Sequence, residues 1–227
     1  MVSQVDGQQD TARRPRNRRG QGGRLREELI EAARRLLATA EQEADVSIRA
    51  VTREAGAAPQ SFYLQFTSLD ELLYAVYTVE YQQLRQAMAH AASRVPDPQA
   101  RLAAVCTAYC EYAQERPGRY RALTGIRGQP RHPGWDGQPL PGAPAFAMLR
   151  DTVAEALAAA GSPADPFLAA CTLWASLHGL VTLRAARPAF PWPPLAEMIT
   201  SIAVQALHAP ASPAQAAPGP RSHNPRD

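Results

Sequence analysis

The sequence predicts an all-α protein. Between two polar tails, apolar residues recur with helical spacing, and no sustained alternation of apolar and polar residues indicates a strand. Capping residues and Pro/Gly breaks divide this central region into segments of helical length. The chain has 227 residues, of which 45% are hydrophobic, and this is enough for one or two compact domains rather than wholesale disorder.

Both ends are predicted to be disordered. Residues 1–23 form an arginine-rich arm and residues 209–227 a proline-rich tail, and neither holds enough large apolar groups to order itself. The net charge of +3 is unevenly placed: residues 1–26 carry seven arginines and two acids, and the remainder carries 17 arginines and 19 acids. The basic excess therefore lies in the arm.

The first half of the central region predicts four helices. An apolar face that includes Leu29 and Ile30 indicates a helix over 24–41. Two short helices of eight or nine residues follow, separated by Ala55-Gly56-Ala57. Ser47 is the N-cap of the first and Gly56 its C-terminal glycine, and Pro59 stands at N1 of the second, whose Phe62 and Phe66 lie one turn apart.

A capping box, Ser68-Leu69-Asp70-Glu71, then opens a long helix that reaches about residue 92. Asp97-Pro98 opens the next helix, and Pro117-Gly118 separates it from a brief one. Five glycines and five prolines predict a loop over 125–144. The helices predicted in this second half cover about 97–115, 118–124, 145–160, 165–186 and 194–208.

Several functional classes are not supported. No stretch approaches 18 uninterrupted apolar residues, and the first 20 residues lack the apolar segment of a secretory signal, so we expect a cytoplasmic protein. Three cysteines without a CxxC pair fit a reducing compartment and exclude a disulfide scaffold. The sequence has no HExxH, GxSxG or glycine-rich phosphate loop, so we predict no catalysis, no metal and no cofactor.

Residues 24–70 have the order of a helix-turn-helix unit. Helices this short are marginal alone in water, so they need a shared core with the long helices on either side. In such a unit the second short helix enters the DNA major groove, and a basic arm placed before it supplies phosphate or minor-groove contacts. The alternative is an ordinary tight turn between helices of a protein that does not bind DNA.

The same residues resemble a known family. The runs Ile48-Arg49-Ala50-Val51-Thr52-Arg53-Glu54-Ala55-Gly56, Pro59-Gln60-Ser61-Phe62-Tyr63-Leu64-Gln65-Phe66 and Leu69-Asp70-Glu71-Leu72-Leu73 are similar to the DNA-binding domain of TetR-type (tetracycline-repressor-like) regulators. The resemblance covers about 50 residues. It implies an all-α homodimer with an N-terminal DNA-binding domain over 24–70 and a ligand-binding and dimerisation domain over 71–208.

The resemblance also implies DNA-contacting positions. Those on the recognition helix are Pro59, Gln60, Ser61 and Tyr63, with Gln65 as a weaker candidate. Gln60 and Ser61 are suited to base edges because amides and hydroxyls pair with them. Arg49 and Thr52 would lie near phosphates, and Arg18 and Arg19 belong to the basic arm.

Two residues depart from the family pattern. Ala58 stands where Ser or Thr usually caps the recognition helix, which forgoes roughly 1 kcal/mol of capping. Leu69 stands where a lysine usually begins the fourth helix, so one phosphate contact is missing. We expect the arm to compensate.

The run Leu173-Trp174-Ala175-Ser176-Leu177-His178-Gly179-Leu180 is similar to the Trp-x-x-x-His-Gly signature of one TetR-type subgroup. Trp174 and His178 share a helix face, and Gly179 permits close approach of another helix. A packed Trp-His pair at a helix interface is preferred here over a ligand contact.

The effector site and the dimer face are predicted from apolar positions. The lining expected for an apolar or aromatic effector is Cys106, Tyr109, Cys110, Ala113, Leu123, Trp135, Phe146, Leu149, Trp174 and His178. The expected dimer face is Ser176, Leu180 and Leu183 with Met198, Ile202 and Leu207. The effector lining and the dimer face could both instead be core residues of a single chain. Cys106 and Cys110 could also form a thiol switch or a site for a soft metal.

The sequence thus predicts a homodimeric, ligand-responsive transcriptional repressor that a small apolar or aromatic effector releases from a palindromic DNA operator. The alternative is a helical ligand-binding protein of the same fold without operator binding. A helical-bundle enzyme ranks third, and activation instead of repression stays open.

Overall fold

The computed structural model describes residues 22–39, 46–124 and 137–208, and all regular structure in these ranges is helical. Apart from the two short helices, the helices agree with the predicted ones to within two or three residues wherever they are described. They are α1 (Gly22–Thr39), α2 (Ile48–Glu54), α3 (Pro59–Phe62), α4 (Leu69–Ala92), α5 (Pro98–Glu115), α6 (Pro117–Thr124), α7 (Ala143–Ala160), α8 (Pro166–Ala186) and α9 (Leu195–Leu207).

The predicted helix starts are confirmed by their caps. The side chain of Ser47 accepts a hydrogen bond from the Ala50 amide, and that of Ser68 accepts one from the Glu71 amide, both at 3.2 Å. The capping box differs in one detail, because the Glu71 carboxylate accepts from both the amide and the hydroxyl of Thr67, the residue before the cap. The amide hydrogen bond from Thr67 lowers the pKa of Glu71.

The two short helices are shorter than predicted. Helix α2 has seven residues and α3 has four. Gly56 adopts a φ of +63° after α2, a left-handed conformation that favours glycine. Beyond α3 the chain continues as a turn, in which the Gln65 and Phe66 amides donate to the Phe62 carbonyl at 2.9 and 3.0 Å. Phe66 therefore reaches the core from a turn and not from the helix.

Helix α4 connects the N-terminal helices with the rest of the bundle. It packs against α1 on one side and against α5 and α7 on the other, and the predicted domain boundary at residue 70 falls within its first turn. Helices α5, α7, α8 and α9 pack together, and α6 packs on α1. One continuous buried cluster runs from Leu25 to Leu207.

Helix α8 is the one described helix whose length and composition would allow it to cross a membrane. Only 33% of its most apolar 18-residue window is buried within the chain. It packs against α5, α7 and α9. Part of its apolar surface is consequently left uncovered by the described residues.

Candidate DNA-binding and effector-binding sites

The α3 segment is anchored by two phenylalanines and turns its other side chains outward. Phe62 and Phe66 are buried, with ring centroids 5.7 Å apart. Tyr63 and Leu64, between them, are 62% and 75% exposed. Of the other predicted contact residues, Pro59 and Gln60 are exposed, and Ser61 and Gln65 are half-buried.

Leu64 is an exposed residue that sequence reasoning missed. Its apolar type favoured a core position, yet it follows α3 on the side away from Phe62 and Phe66. An exposed leucine on a segment of this kind can contact the methyl group of thymine. The one signal of this exposure in the sequence was the position of Leu64 midway between Phe62 and Phe66, which their helical spacing places in the core.

The prediction for Thr52 as a phosphate-contacting residue is contradicted by its burial. Thr52 is 1% exposed, and its hydroxyl donates to the carbonyls of Ile48 and Arg49 in its own helix at 2.9 and 3.2 Å. The side chain packs inward because α2 needs a small group against the core. Arg49, one turn earlier, is exposed. Arg18 and Arg19 lie outside the described residues.

The first departure from the family pattern has the predicted effect on the cap. Ala58 is the N-cap of α3 and makes no side-chain capping hydrogen bond. Pro59 in the first turn has no amide to satisfy, which reduces the cost of the missing cap. Leu69 is half-buried and packs against the core instead of reaching outward.

A buried ion pair joins α1 to α4. The Arg34 Nε atom donates to Glu80 Oε1 at 2.6 Å, and the two side chains are 9% and 2% exposed. The Tyr112 hydroxyl of α5 donates to Glu80 Oε2 at 2.9 Å. Arg34 also pairs with Glu31 and donates to the Gln83 side chain at 3.1 Å. This cluster links the helix-turn-helix unit to the helical bundle, and sequence periodicity did not reveal it.

The charges in this cluster stabilise one another. Burial alone would lower the pKa of Arg34, but the hydrogen bond and negative charge of Glu80, with those of Glu31, outweigh burial and raise it. Burial, the charge of Glu80 and the hydrogen bond to it raise the pKa of the Tyr112 hydroxyl, which therefore stays protonated as a donor.

Helix α6 contacts the end of α1 at a position where only glycine fits. A Cβ atom on Gly118 would lie 2.3 Å from the carbonyl oxygen of Ala38. The Arg121 side chain donates to the same carbonyl at 3.1 Å. The α1–α6 contact is thus close and directional.

Most of the predicted effector-binding residues are buried among the helices. None of those that the structure describes lines the cavity between α4 and α7. The buried members are Cys106, Tyr109, Cys110, Ala113, Leu123 and Leu149. Trp135 lies outside the described residues. Their role in effector binding stays a prediction, since an apolar stripe at helical spacing can also be satisfied by neighbouring helices.

Three side chains at the centre of this core form a hydrogen-bonded relay. The hydroxyls of Tyr109 and Tyr120 are 2.7 Å apart, and the Tyr120 hydroxyl lies 2.8 Å from Nδ1 of His178. Burial lowers the pKa of His178 and raises that of Tyr109 to about 12, so the relay is neutral around pH 7. Tyr120 is buried and was missed in the sequence because the short α6 shows little periodicity.

The thiol-switch interpretation is disfavoured by the environment of both α5 cysteines. Cys106 and Cys110 are fully buried, and burial raises the pKa of each thiol to about 12. A thiol that stays protonated is a poor nucleophile and a poor metal ligand. Among the described residues, no group of three His, Cys, Asp or Glu side chains is arranged to hold a metal ion.

The predicted Trp174–His178 pairing is replaced by other contacts. His178 packs its ring on Tyr120 at 5.9 Å, and Trp174 packs on Phe146 at 5.8 Å. Trp174 is 46% exposed. The predicted close helix approach at Gly179 does not occur within the described chain, where an added Cβ would meet no atom within 4 Å.

The residues predicted for the dimer face divide into two groups. Leu180 and Leu207 are buried in the core of the same chain, so their side chains are not part of an outer face. Leu183 is exposed. Ser176, Met198 and Ile202 are half-buried.

Residues 102–207 match the family model described as the tetracyclin repressor-like C-terminal domain. This segment runs from α5 to α9, the part of the chain to which the sequence assigned ligand binding and dimerisation.

Solved structures share the whole fold. A protein of unknown function from Rhodococcus sp. RHA1 aligns with a TM-score of 0.67 and 24% identity, covering 81% of this chain and 93% of that one. A TetR family transcription regulator from Marinobacter aquaeolei VT8 aligns with a TM-score of 0.63 and 20% identity over 83% and 98% of the two chains.

The transcriptional regulator FadR from Bacillus subtilis, in complex with stearoyl-CoA, aligns with a TM-score of 0.64 and 14% identity over 80% of this chain and 97% of that one. Identities at this level establish a shared fold. With its matched C-terminal domain and its helix-turn-helix unit, the chain is similar to the TetR-type transcriptional regulators.

Proposed function

We propose that this regulator binds a palindromic operator as a homodimer and represses transcription until a small molecule releases it. The observation that carries the DNA-binding part is the α3 segment. Phe62 and Phe66 hold it in the core, while Gln60, Tyr63 and Leu64 face solvent, Tyr63 with one ring edge against Phe62. An exposed and rigidly anchored segment of this size can enter the major groove.

Each exposed side chain of this segment suits a different part of DNA. The Gln60 amide can pair with adenine, and Leu64 can contact a thymine methyl group. Tyr63 and Arg49 are suited to the phosphate backbone, which positions the protein without reading sequence. The arm before residue 24 adds charge that strengthens binding independently of sequence.

The exposed surface of α8 supports the homodimer. On this surface, Thr172, Ala175, Gly179 and Leu183 recur at helical spacing, and Val204 of α9 is also exposed. A helix so apolar and so little covered by the described residues is the kind of surface that a second copy of the chain can cover. We define these five residues as the α8–α9 face. Two copies joined there would present two α3 segments, which must lie about 34 Å apart to read successive major grooves.

Effector release follows from a shift between two conformations. To change a 1:99 ratio of states to 99:1, the effector must favour the non-binding state by about 5.5 kcal/mol. The FadR complex with stearoyl-CoA supports the idea that this fold accommodates small molecules. Acting on DNA, the protein would work in the cytoplasm, without catalysis of its own.

Operator binding is tested by electrophoretic shift with DNA from upstream of its own gene. Gln60→Ala and Tyr63→Ala should weaken binding, by about 1–3 kcal/mol for the base-reading glutamine. Gln86→Ala, on the exposed side of α4, is the matched control and should leave affinity unchanged. Deletion of residues 1–20 should weaken binding at moderate salt and reduce its salt dependence. Wild-type affinity in both α3 variants would refute the proposed recognition segment.

The dimer is tested by light scattering after size exclusion. Leu183→Arg should yield a monomer, because it places a charge in the α8–α9 face. Leu140→Arg is the matched control, since Leu140 is an equally exposed leucine before α7. Dissociation of both variants, or of neither, would contradict this face.

The alternative, a ligand-binding protein of the same fold without operator binding, is favoured by the uncapped α3 and by Leu69. A folded dimer that binds small molecules but shifts no DNA selected from a random pool would establish it.

A further inference from the structure

A groove runs between α4 and α7 and ends at the connection from α4 to α5. Its volume is about 980 Å³, within the range of small-molecule sites. The α4 residues along it extend from Thr78 to Ala92, about 21 Å at 1.5 Å per residue. The groove is therefore long enough for an elongated ligand.

One end of the groove is polar, with Arg94 exposed to solvent and two further charges compensated within the chain. Arg101 donates to Glu155 at 2.6 Å and to the carbonyl oxygens of Val95 and Pro96 at 2.9 and 2.7 Å. Asp151 is held by Arg150, the shorter of two hydrogen bonds being 2.7 Å. Neither charge needs a ligand for compensation.

Arg85 is different. It is half-buried in the groove wall, and it makes no hydrogen bond or ion pair with any residue in the described ranges. Gln82, one turn earlier on the same face of α4, offers an exposed side-chain amide to the same space. A guanidinium with a neighbouring amide donor matches a carboxylate, which accepts two parallel hydrogen bonds from arginine.

The other end of the groove is apolar. Tyr81 lies one turn before Arg85, and its ring contacts the backbone of Gly142, where an added Cβ would come within 3.0 Å. Pro144, Ala145 and Met148 of α7 continue this wall. The groove thus places Arg85, which has no partner among the described residues, beside an apolar surface.

We propose that the α4–α7 groove binds a monocarboxylate with a hydrophobic body. The carboxylate pairs with Arg85 and Gln82, and the body lies along Tyr81, Pro144 and Met148. The assignment of this ligand as the effector rests on the proposed function, whereas the binding itself does not.

Titration calorimetry without DNA tests the site, with decanoate as the probe. Decan-1-ol lacks the carboxylate and acetate lacks the hydrophobic body. Each should bind at least tenfold more weakly than decanoate. Arg85→Gln should weaken decanoate binding tenfold or more, while Arg85→Lys, which keeps the charge but loses the planar fork, should lose less. Arg187→Gln, an exposed arginine after α8, is the control and should bind within twofold of wild type.

Arg85 has no described partner in the fold, so Arg85→Gln should retain the wild-type melting temperature. Equal decanoate affinity in wild type and Arg85→Gln, or equal affinity for decanoate and decan-1-ol, would overturn the proposed site. An operator shift assay with and without decanoate then separates the two proposals. Failure to bind any DNA counts against the regulator function alone, and failure in calorimetry counts against the groove alone.

Discussion

The buried Glu80 carboxylate provides the sharpest test of how the helix-turn-helix unit is attached to the bundle. Glu80→Gln keeps the size of the side chain and removes its charge. Arg34 then lies in the interior with Glu31, which is partly exposed, as its nearest remaining acid. Removing one partner of a buried pair typically costs about 3–5 kcal/mol, since a buried charge is left uncompensated.

The expected loss for Glu80→Gln is near the lower end of that range. In the native protein Arg34 Nε donates to Oε1 at 2.6 Å and the Tyr112 hydroxyl donates to Oε2 at 2.9 Å. In Glu80→Gln the amide oxygen can replace Oε1 and accept from Arg34, and the amide NH2 can replace Oε2 and donate to the hydroxyl oxygen of Tyr112. Both hydrogen bonds then lack the carboxylate charge and are weaker. We therefore expect the free energy of unfolding to fall by about 3 kcal/mol.

The assay is urea unfolding followed by circular dichroism, with free energies from linear extrapolation at one fixed protein concentration. Glu155→Gln is the matched control. It breaks a pair with Arg101 of the same length, 2.6 Å, but Glu155 is exposed, so the loss should stay below about 1 kcal/mol.

A double substitution separates charge from packing. Arg34→Met with Glu80→Leu removes both charges together, and such replacements are often neutral or stabilising. The double variant should therefore be more stable than Glu80→Gln alone. A loss below 1 kcal/mol for Glu80→Gln, or a double variant less stable than the single one, would refute the reasoning about an uncompensated buried charge.

Three further predictions concern the described core. Gly118→Ala should destabilise the fold by about 1–3 kcal/mol, because its Cβ overlaps the α1 backbone, whereas Gly23→Ala in open space should not; urea unfolding measures both. The pKa of His178 is lowered in the folded protein from its ordinary value of 6.5. Near that pH the unfolded chain therefore binds more protons than the folded one, and the free energy of unfolding should fall as the pH drops through 6.5. His178→Gln should flatten this dependence in unfolding curves recorded from pH 7.5 to 5. In a thiol-labelling assay of the native protein, at most Cys171 should react at neutral pH, and all three cysteines should react after unfolding.

Each of these has an outcome that would count against it. Equal stability of the two glycine variants would show that α6 moves away from α1 at little cost. An unchanged pH dependence in His178→Gln would mean that other groups control it. Rapid native labelling of two or more thiols would show that the buried pair on α5 opens readily, and the thiol-switch interpretation would return.

The elements that sequence reasoning located well are those set by local chemistry. Ser47, Gly56 and Ser68 place helix ends because capping and left-handed turns depend on a few neighbouring atoms. Phe62 and Phe66 were placed in the core by spacing, although α3 ends before Phe66. The length of a helix was harder to predict than its first residue, since the point at which a helix ends depends on what packs against it.

The candidate sites were less predictable, and for one physical reason. The side chains of Cys106 and Leu149 have the polarity of a pocket lining, but whether space remains beside them depends on how closely two distant helices approach. Thr52 was assigned to the surface by resemblance and is buried by its helix's rotation. Arg85 carried no signal at all, because its lack of a partner is a property of the surrounding structure.

The sequence by itself determined the helices, their caps, the helix-turn-helix order and the family resemblance, because these depend on residues within a few positions of one another. The tertiary structure alone decided the Arg34–Glu80 pair, the Tyr120 relay, the exposed face of α8 and the open groove beside Arg85. These features join residues far apart in the sequence, 58 positions in the case of Tyr120 and His178. The free energy of a buried charge or an uncovered surface is defined only once the helices have packed.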